Sequence, residues 1–471
     1  MKPLHKLNII ILFWFCSSCS KIVSIDPPVN TIVSEEAFSN NHNANSSVIG
    51  IYSKLINQSA VVAFGNGAFS MLNGISSDEI TFIGGDPNFD PFFHNQILSD
   101  NNLIFSSLWQ QPYGIIYQAN ACLEQLAGNK KVTSPLREQL MGEAKFVRAL
   151  VYFYLINSFG DVPFLTTTDY KANTVAPRVS QDTIYSNLIS DLEGSLNSLP
   201  GDFSGYNNER IRATKWAAMA LLSRIYLYTG NWGKASQYAD QVINSGYFSL
   251  LSDLNSVFLK NSNEAIFQLY IDGTISPFNT LPESYLTIPP DHTSLVYFWF
   301  PTSFMDEFDS DDLRRTAWVD STNYSGTVYY YPSKYKIGPT QQAPNSVATE
   351  YYMVLRLAEQ YLISAEAKAQ QGDLTGSASD LNMVRARAGL GPSVFSSKDD
   401  AINNILAERK KELFYEWGHR WFDLKRTGKV DSIMNTAAQQ KGGSWKPTAK
   451  VFPIPAAEIF RNPNLTQNPG Y

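Results

Sequence analysis

Residues 412–426 read ELFYEWGHRWFDLKR and gather acidic, basic and aromatic side chains in one short stretch. Phased as a helix with the residues before it, the region forms one apolar stripe from Ile402, Leu406, Leu413, Trp417, Trp421 and Leu424. Opposite charges lie three or four residues apart beside this stripe, namely Glu416 and Arg420, Arg420 and Asp423, and Asp423 and Arg426. The spacing predicts a continuous helix with ion pairs along its surface.

Glu412 and Glu416 fall on the same face of this helix and would also suit a catalytic carboxylate pair. A glycosidase, however, needs its carboxyl groups on opposite sides of a sugar, about 5 to 10 Å apart. Neighbouring acids with arginines between them favour an ion-pair network instead. We therefore predict a structural role for the stretch, with Trp417 in the core and His419 on the helix face.

Composition excludes several classes of function. The 471-residue chain is 44% hydrophobic and 17% charged, and its net charge of −6 predicts no nucleic-acid partner. It contains no HExxH, CxxC, GxSxG or GxxxxGK[ST] motif. Residues 309–315, DSDDLRR, lack the glycine and the distal glutamate of a calcium loop, so a helix start is favoured over a metal site. We predict no catalytic residue, metal or cofactor.

The N-terminus predicts export and lipid attachment. Residues 1–18 combine a charged start, an apolar run too short to cross a bilayer and small residues, which is typical of a signal peptide. Cys19 follows two serines and is the predicted lipid-attachment residue, whereas Cys16 follows the bulky Phe15. A plain secreted protein is the alternative. We expect a tether at 19–33 and a single domain at 34–471.

The rest of the chain is mostly helical by pattern, including residues 351–372, with strands predicted only at 264–271 and 327–337. Two helix pairs resemble the tetratricopeptide pattern, because a glycine ends the first helix of each at Gly230 and Gly372. Cys122 and Trp109 lie in helical patterns and are predicted to be core residues. The sequence thus predicts a mostly α, tetratricopeptide-like scaffold with long irregular loops.

Two long insertions, at 74–100 and 271–345, lack helical periodicity and are rich in aromatic residues. Aromatic rings stack on the apolar faces of sugars, while acids, amides and histidines bond sugar hydroxyls, and concave sites combine both. We expect the insertions to converge and form a ligand-binding surface, with Trp299 as the main stacking ring. The candidate ligand-binding residues are Asp86, Asn88, Phe92, Phe93, His94, Tyr285, Tyr297, Trp299 and Phe300.

Four segments in order resemble the SusD/RagB family of Bacteroidetes outer-membrane lipoproteins. They are KFVRALVYFYLINSFGDVPF, AEQYLISAEAKAQQG with LNMVRARAGL, ERKKELFYEWGHRWFDLKR and the ending VFPIPAAEIFRNPNLTQNPGY. The resemblance implies a lipid-anchored, outward-facing, non-enzymatic protein that forms a lid on a SusC-type TonB-dependent transporter. Such a protein captures an oligosaccharide, or sometimes a peptide, for import.

Two other functions remain open at this point. One is a glycoside hydrolase that uses an acid pair in the 271–345 insertion, and the other is a structural lid that binds no ligand.

Overall fold

The computed structural model describes residues 34–56 and 62–471, so the predicted signal peptide at 1–18, the predicted lipid-attachment residue Cys19 and the predicted tether at 19–33 lie outside the described residues. The described chain is 52% helix and 7% strand, which confirms the predicted mostly α class. Its α-helices are α1 Ser34–Ala37, α2 Asn41–Ile56, α3 Phe69–Ser76, α4 Asp90–Phe93, α5 Asn102–Phe105, α6 Gln111–Leu126, α7 Ser134–Phe159, α8 Tyr170–Asn173, α9 Gln181–Glu193, α10 Lys215–Tyr228, α11 Trp232–Ile243, α12 Pro282–Thr287, α13 Thr302–Met305, α14 Leu313–Ala317, α15 Leu357–Gln370, α16 Leu374–Arg387, α17 Lys398–Glu412, α18 His419–Arg426, α19 Val430–Gln440 and α20 Ala456–Arg461.

The strands in the described ranges are short and form antiparallel pairs, β1 with β5, β2 with β3, β4 with β8 and β6 with β7. They are β1 Thr81–Phe82, β2 Val162–Pro163, β3 Arg178–Val179, β4 Ala265–Leu269, β5 Phe298–Trp299, β6 Val319–Tyr324, β7 Thr327–Pro332 and β8 Tyr352–Arg356. Single π or 3₁₀ turns lie at Phe64–Ala68, Ser106–Gln110, Ser204–Tyr206, Leu254–Ser256, Pro339–Gln341 and Pro447–Lys450.

Helix α7 is the central element of the core. Its second half carries apolar or aromatic residues on every face, and a helix of that kind must be enclosed by other elements. Helices α2, α6, α9 and α10 pack around it. Its buried Arg148 donates from Nη1 to Asn120 Oδ1 at 2.8 Å and forms an ion pair with Asp191 through Nη2. Among the described helices, none combines the length and hydropathy required of a membrane span.

Two helical hairpins, α10–α11 and α15–α16, form where the repeat-like pattern predicts them. Gly230 and Gly372 have φ values of 72° and 88°, so each reverses the chain in the left-handed conformation that favours glycine. Helix α11 packs against α15 and joins the hairpins. The hydroxyl of Ser223 in α10 donates to Gln360 Oε1 in α15 at 2.6 Å. The paired-helix scaffold is therefore confirmed.

The prediction of one continuous helix through residues 402–424 is wrong. Helix α17 ends at Glu412 and α18 begins at His419, with no helix between them. Inside this break, Tyr415, Trp417 and Gly418 have φ values of 54°, 49° and 73°. The apolar stripe correctly predicts burial, but the backbone that carries it leaves the helical conformation after Glu412 and returns to it at His419.

Non-local contacts explain the break. The main-chain carbonyls of Glu412 and Phe414 accept hydrogen bonds from Lys334 Nζ at 2.9 and 2.8 Å, and Arg356 also donates to the Glu412 carbonyl at 2.7 Å. A continuous helix would use these carbonyls internally. A Cβ atom on Gly418 would lie only 2.4 Å from Asn73 Nδ2, so the turn also requires glycine there.

The sheet pairings confirm both predicted strands and correct one predicted helix. Strand β4 lies within 264–271, and β7 lies within 327–337 and pairs with β6. Residues 352–356, however, form strand β8, which pairs with β4 and is buried at every position. Hydrophobic periodicity does not distinguish a short buried strand from a buried helical turn. The bulky side chains of β8 and its β-branched residue Val354 favour a strand.

Candidate functional site

The two long insertions meet in a strand pair. In β1 and β5, Thr81 lies opposite Trp299 and Phe82 lies opposite Phe298. The Phe82 and Phe298 rings stack at 5.3 Å, and Phe89 packs 5.5 Å from each of them. The predicted convergence of residues 74–100 with 271–345 is therefore confirmed. An apolar centre of three phenylalanines holds the junction together.

The outer side of this junction exposes aromatic rings. Tyr297 is 59% exposed, and its main-chain carbonyl accepts a hydrogen bond from the Ile83 amide at 3.0 Å. Trp299 is partly exposed and meets the ring of Tyr329 edge to face at 5.2 Å. We call Ile83, Tyr297, Trp299 and Tyr329 the aromatic loop surface. Two strand pairs, β1–β5 and β6–β7, support it.

Tyr329 is absent from the predicted candidate residues. It lies in β7 next to Tyr330 and Tyr331, and the Phe300 amide donates to the Tyr330 carbonyl at 2.7 Å. This hydrogen bond brings β7 alongside the chain segment that follows Trp299. Three consecutive tyrosines in a predicted strand were the available signal, because successive side chains in a strand point to opposite faces.

Phe92 and Phe300 are corrected as candidate ligand contacts. Phe92 is 0% exposed and packs edge to face with Phe452 at 5.5 Å. Phe300 is 2% exposed and stacks on Phe304 at 4.6 Å. Both rings fill the core because the residues that flank them along the chain, not they, face outward. Neither can stack on a sugar in this conformation.

The other candidate ligand-binding residues lie in different environments. Phe93 is partly buried, with His94 edge to face at 5.1 Å and Lys441 Nζ 5.0 Å from its ring centre. Tyr285 is partly buried on α12. These three residues are not part of the β1–β5 strand pair. Their predicted ligand contacts stay predictions.

Polar groups near the junction mainly hold the turns of the insertions. The Asp86 carboxylate accepts from the Asn88 amide at 2.7 Å, and the Asp90 carboxylate accepts from the Gly85 amide at 3.0 Å. On the second insertion, hydrogen bonds from the side chain and amide of Thr293 lower the pKa of the exposed Asp291. The acids that the sequence places beside the rings therefore fix the shape of the loops.

The acids of the opening stretch form a buried ion-pair network. Arg356 Nη1 lies 2.6 Å from Glu412 Oε1, and its Nε lies 2.8 Å from Glu416 Oε2. Arg314 and Arg387 also bind Glu412. The structural interpretation is confirmed, although the network lies in the core and not along a helix surface. Glu416 and Arg420 do not form the predicted pair.

Two ion pairs of this network extend to the insertions. Arg420 binds Asp78, in the 74–100 insertion, at 2.7 Å. Lys334, in the 271–345 insertion, binds Glu416. Of the pairs predicted within the stretch itself, Asp423 with Arg426 forms at 2.7 Å. The stretch thus anchors the start of the 74–100 insertion and the end of the 271–345 insertion, which carry the aromatic loop surface.

The network keeps its acids ionised. Burial raises the pKa of Glu412 and Glu416, but nearby cations, above all Arg387 for Glu412 and Arg356 for Glu416, lower both pKa values below the ordinary range. His419 begins α18, and burial together with Arg224 lowers its pKa well below the usual value. None of these groups has the raised pKa that a general acid needs.

Within the described residues, four other carboxyl groups have raised pKa values, namely Glu79, Glu283, Glu350 and Asp380, and the rise is large for Glu79 and Glu283. Burial raises the pKa of Glu283 to about 8, and this group accepts a hydrogen bond from the Tyr352 hydroxyl at 2.7 Å. Burial likewise raises the pKa of Glu79 to about 7, against a hydrogen bond from the Tyr415 amide. Both side chains are buried in the core. A substrate therefore has no direct access to either acid.

The remaining residues considered in the sequence analysis lie in the core or cap a helix. Trp109 and Trp417 are buried. Burial raises the pKa of the Cys122 thiol to about 12, as expected of an enclosed and unreactive group. Residues 309–315 do contain a helix start, because the Asp312 carboxylate accepts from the Arg314 amide at 3.0 Å and caps α14. In the described ranges, no group of acids, histidines or cysteines has the arrangement of a metal site.

Sequence comparisons match both halves of the chain. A family model described as "SusD family" matches residues 310–471, and one described as "Starch-binding associating with outer membrane" matches residues 46–227. The SusD-like protein P25 of Formosa agariphila is 25% identical, over 99% of this chain and 98% of its own. The starch-binding protein SusD of Bacteroides thetaiotaomicron is 25% identical, over 76% of each chain.

Solved structures show the same fold. A SusD superfamily protein from Bacteroides vulgatus superposes with a TM-score of 0.78 at 23% identity, covering 92% of this chain and 100% of that one. The surface glycan-binding protein A of Bacteroides thetaiotaomicron, in complex with laminarihexaose, superposes with a TM-score of 0.77 at 20% identity, covering 91% and 99%. The solved structures show the fold, and the two family models, which match residues 46–227 and 310–471, show that the chain belongs to the SusD family.

Proposed function

We propose that this protein binds oligosaccharides at the aromatic loop surface and delivers them to a SusC-type TonB-dependent transporter in the outer membrane. The observation that carries the proposal is the β1–β5 pair, which presents Tyr297 and Trp299 together on the outer side of both insertions. Sugar rings present apolar C–H faces that such rings can cover. Tyr329 adds an edge-to-face neighbour that supports Trp299.

The relatives support a carbohydrate ligand. Similar proteins are described as starch-binding, as laminarin-binding and as a surface glycan-binding protein in complex with laminarihexaose. These descriptions name binding and no catalysis, in agreement with a non-enzymatic role. The buried positions of Glu79 and Glu283 also disfavour a hydrolase that uses them.

A glycan panel on the mature protein tests the proposal. We expect at least one neutral oligosaccharide to bind, and Trp299→Ala and Tyr297→Ala to weaken that binding. Trp232→Ala is the matched control, since Trp232 is also a partly exposed tryptophan but lies on α11, outside the insertions. Equal weakening by the control would contradict the assigned surface. Absence of binding to any glycan or peptide would support a purely structural lid.

The same panel tests the hydrolase alternative. We expect every bound oligosaccharide to be recovered intact after prolonged incubation. Product release that a single Asp or Glu substitution abolishes would replace the binding proposal with catalysis.

We further propose that Cys19 carries the lipid anchor and that the protein faces the cell exterior. The motivating pattern is a cysteine after two serines at the end of a signal-like apolar run. Mass spectrometry of membrane-extracted protein should find a diacylglyceryl cysteine at the new N-terminus, and protease added to whole cells should digest the protein. Soluble protein that begins at another residue would refute the anchor. Co-purification of a TonB-dependent transporter would test the partner.

A further inference from the structure

A polar cavity of about 710 Å³ lies far along the chain from both insertions, where the ends of several helices meet. It is lined by the C-terminal end of α7, the N-terminal half of α9, the C-terminal end of α10, the last turn of α18 and residues 450–451. None of the four residues of the aromatic loop surface lines it. Its size is that of a typical small-molecule site.

The charges that line the cavity do not balance. Lys425, Arg426 and Lys450 are its cations, and Asp182 is the acid among its lining residues. The guanidinium of Arg426 is already neutralised, because it binds Glu366 at 2.5 Å and Asp423 at 2.7 Å. Neither lysine forms an ion pair within residues 34–56 and 62–471. Lys450 is exposed to solvent, so Lys425 is the partly buried cation of the lining that has no acidic partner in the described residues.

Lys425 forms no ion pair with an acid in the described residues. Its Nζ donates to the main-chain carbonyl of Asn157 and lies 5.1 Å from the centre of the Phe422 ring. Burial lowers its pKa to about 7, with no acidic neighbour raising it. The cations Lys334, Arg356, Lys410, Arg409 and Arg420 have carboxylate partners, whereas Lys425 and Lys441 donate to main-chain carbonyls. Lys425 is partly buried, and an anion entering the cavity would offset the cost of carrying its charge there.

The remaining lining groups suit a sugar more than a bare inorganic ion. Tyr228 contributes a partly exposed ring, whereas Tyr185 and Tyr226 are buried and their hydroxyls bond Asn157 and Glu193. Asn231 and Asp182 contribute groups that bond hydroxyls. The hydroxyl of Tyr228 is buried and has no hydrogen-bond partner within the described chain. A ring, hydroxyl-bonding groups and an uncompensated ammonium together define the chemistry of the ligand.

We propose that this cavity binds a small acidic sugar whose carboxylate or sulfate group pairs with Lys425. The sugar ring packs against Tyr228, and its hydroxyls bond Asn231 and Asp182. The site is separate from the aromatic loop surface and does not depend on the function proposed for that surface. Its ligand is a monosaccharide- or disaccharide-sized molecule, as the cavity volume of about 710 Å³ allows.

Calorimetric titration with three probes at low salt tests the proposal. We expect glucuronate to bind, glucose to bind at least tenfold more weakly, and sodium sulfate to bind more weakly than glucuronate. Lys425→Met should weaken glucuronate binding at least tenfold, while Lys425→Arg retains most of it. Lys441→Met is the matched control, since Lys441 also donates to main-chain carbonyls and has a pKa lowered by burial to about 7, but lies outside the cavity.

Each other outcome overturns part or all of the proposal. Equal affinity for sulfate and glucuronate would make this an inorganic-anion site and overturn the sugar. Unchanged glucuronate affinity in Lys425→Met would overturn the whole proposal. If Lys425→Met does not fold, the rate of Lys425 acetylation in the wild-type protein replaces it. Glucuronate must slow that rate without slowing the acetylation of Lys234 on α11, and an unchanged rate at Lys425 overturns the site.

Discussion

The opening stretch and the aromatic loop surface contain the same kinds of residue but differ in enclosure. Trp417 is buried, and its Nε1–H donates to the Met353 carbonyl at 2.7 Å. Trp299 is partly exposed, beside an exposed Tyr297. The acids of the stretch are locked to arginines, whereas the acids near the surface cap turns. Enclosure by the rest of the fold, more than residue type, separates a stabilising role from a binding role.

The two regions are also physically coupled. Arg420 holds Asp78 and Glu416 holds Lys334, so the buried network reaches into both insertions. Changes in the network should therefore act on stability first and on binding only through the folded fraction. Changes at the surface should act on binding alone. The following substitutions test this division, from the largest expected effect to the smallest.

Arg356→Met should have the largest effect on stability. It removes one cationic partner from each of the buried acids Glu264, Glu412 and Glu416, and breaking one side of a buried pair costs about 3–5 kcal/mol. Urea denaturation measures the loss. Arg461→Met is the control, because Arg461 forms its ion pair with Glu458 at the surface, where pairs contribute about 0–1 kcal/mol. Similar losses in both variants would mean that the network is not specially stabilising.

Trp417→Ala should remove nearly as much stability. The ring lies 4.9 Å from that of Tyr154 and 5.2 Å from that of Tyr352, so the substitution leaves a cavity that costs about 3–5 kcal/mol. Thermal denaturation should show several degrees of lost Tm. Glycan affinity should persist in the folded fraction. Lost affinity in fully folded variant protein would mean that the core ring also shapes the binding surface.

Trp299→Ala should show the reverse pattern. Losing the stacking ring should weaken glycan binding by about 1–3 kcal/mol, by analogy with ring stacking on nucleobases. The Tm should remain close to the wild-type value, because Trp299 is partly exposed and its aromatic neighbour is Tyr329. Titration calorimetry and thermal denaturation measure the two effects. A variant that unfolds yet keeps its affinity would place the ring in the core.

Glu283→Gln should change the pH dependence of stability by a smaller amount. The folded-state pKa of Glu283 is about 8 against an ordinary value of 4.5, so between these pH values the folded protein holds a proton that the unfolded chain has lost. Stability therefore falls as pH rises through this window. Glu283→Gln should flatten the fall by up to about 3 kcal/mol, measured by urea denaturation at pH 5 and pH 8. Identical slopes would contradict the buried neutral acid.

Local pattern was enough to predict much of the scaffold. Helical periodicity predicted α7, α10 and α11, and the glycines at 230 and 372 predicted the hairpin turns that the structure contains. The residue content of the insertions predicted their convergence, which the β1–β5 pair confirms. The same reasoning placed Phe92 and Phe300 at the surface, because composition alone does not say which ring of an aromatic run points inward.

The sequence by itself determined the helical class, the family resemblance and the core position of Trp417, because each depends on spacing within a short segment. Only the tertiary structure decided that residues 413–418 leave the helix and that Glu416 binds Lys334 and Arg356 instead of Arg420. Those partners lie 60 or more residues away along the chain. A buried cation must find its counter-charge wherever the packed core places one, and no local period encodes that choice.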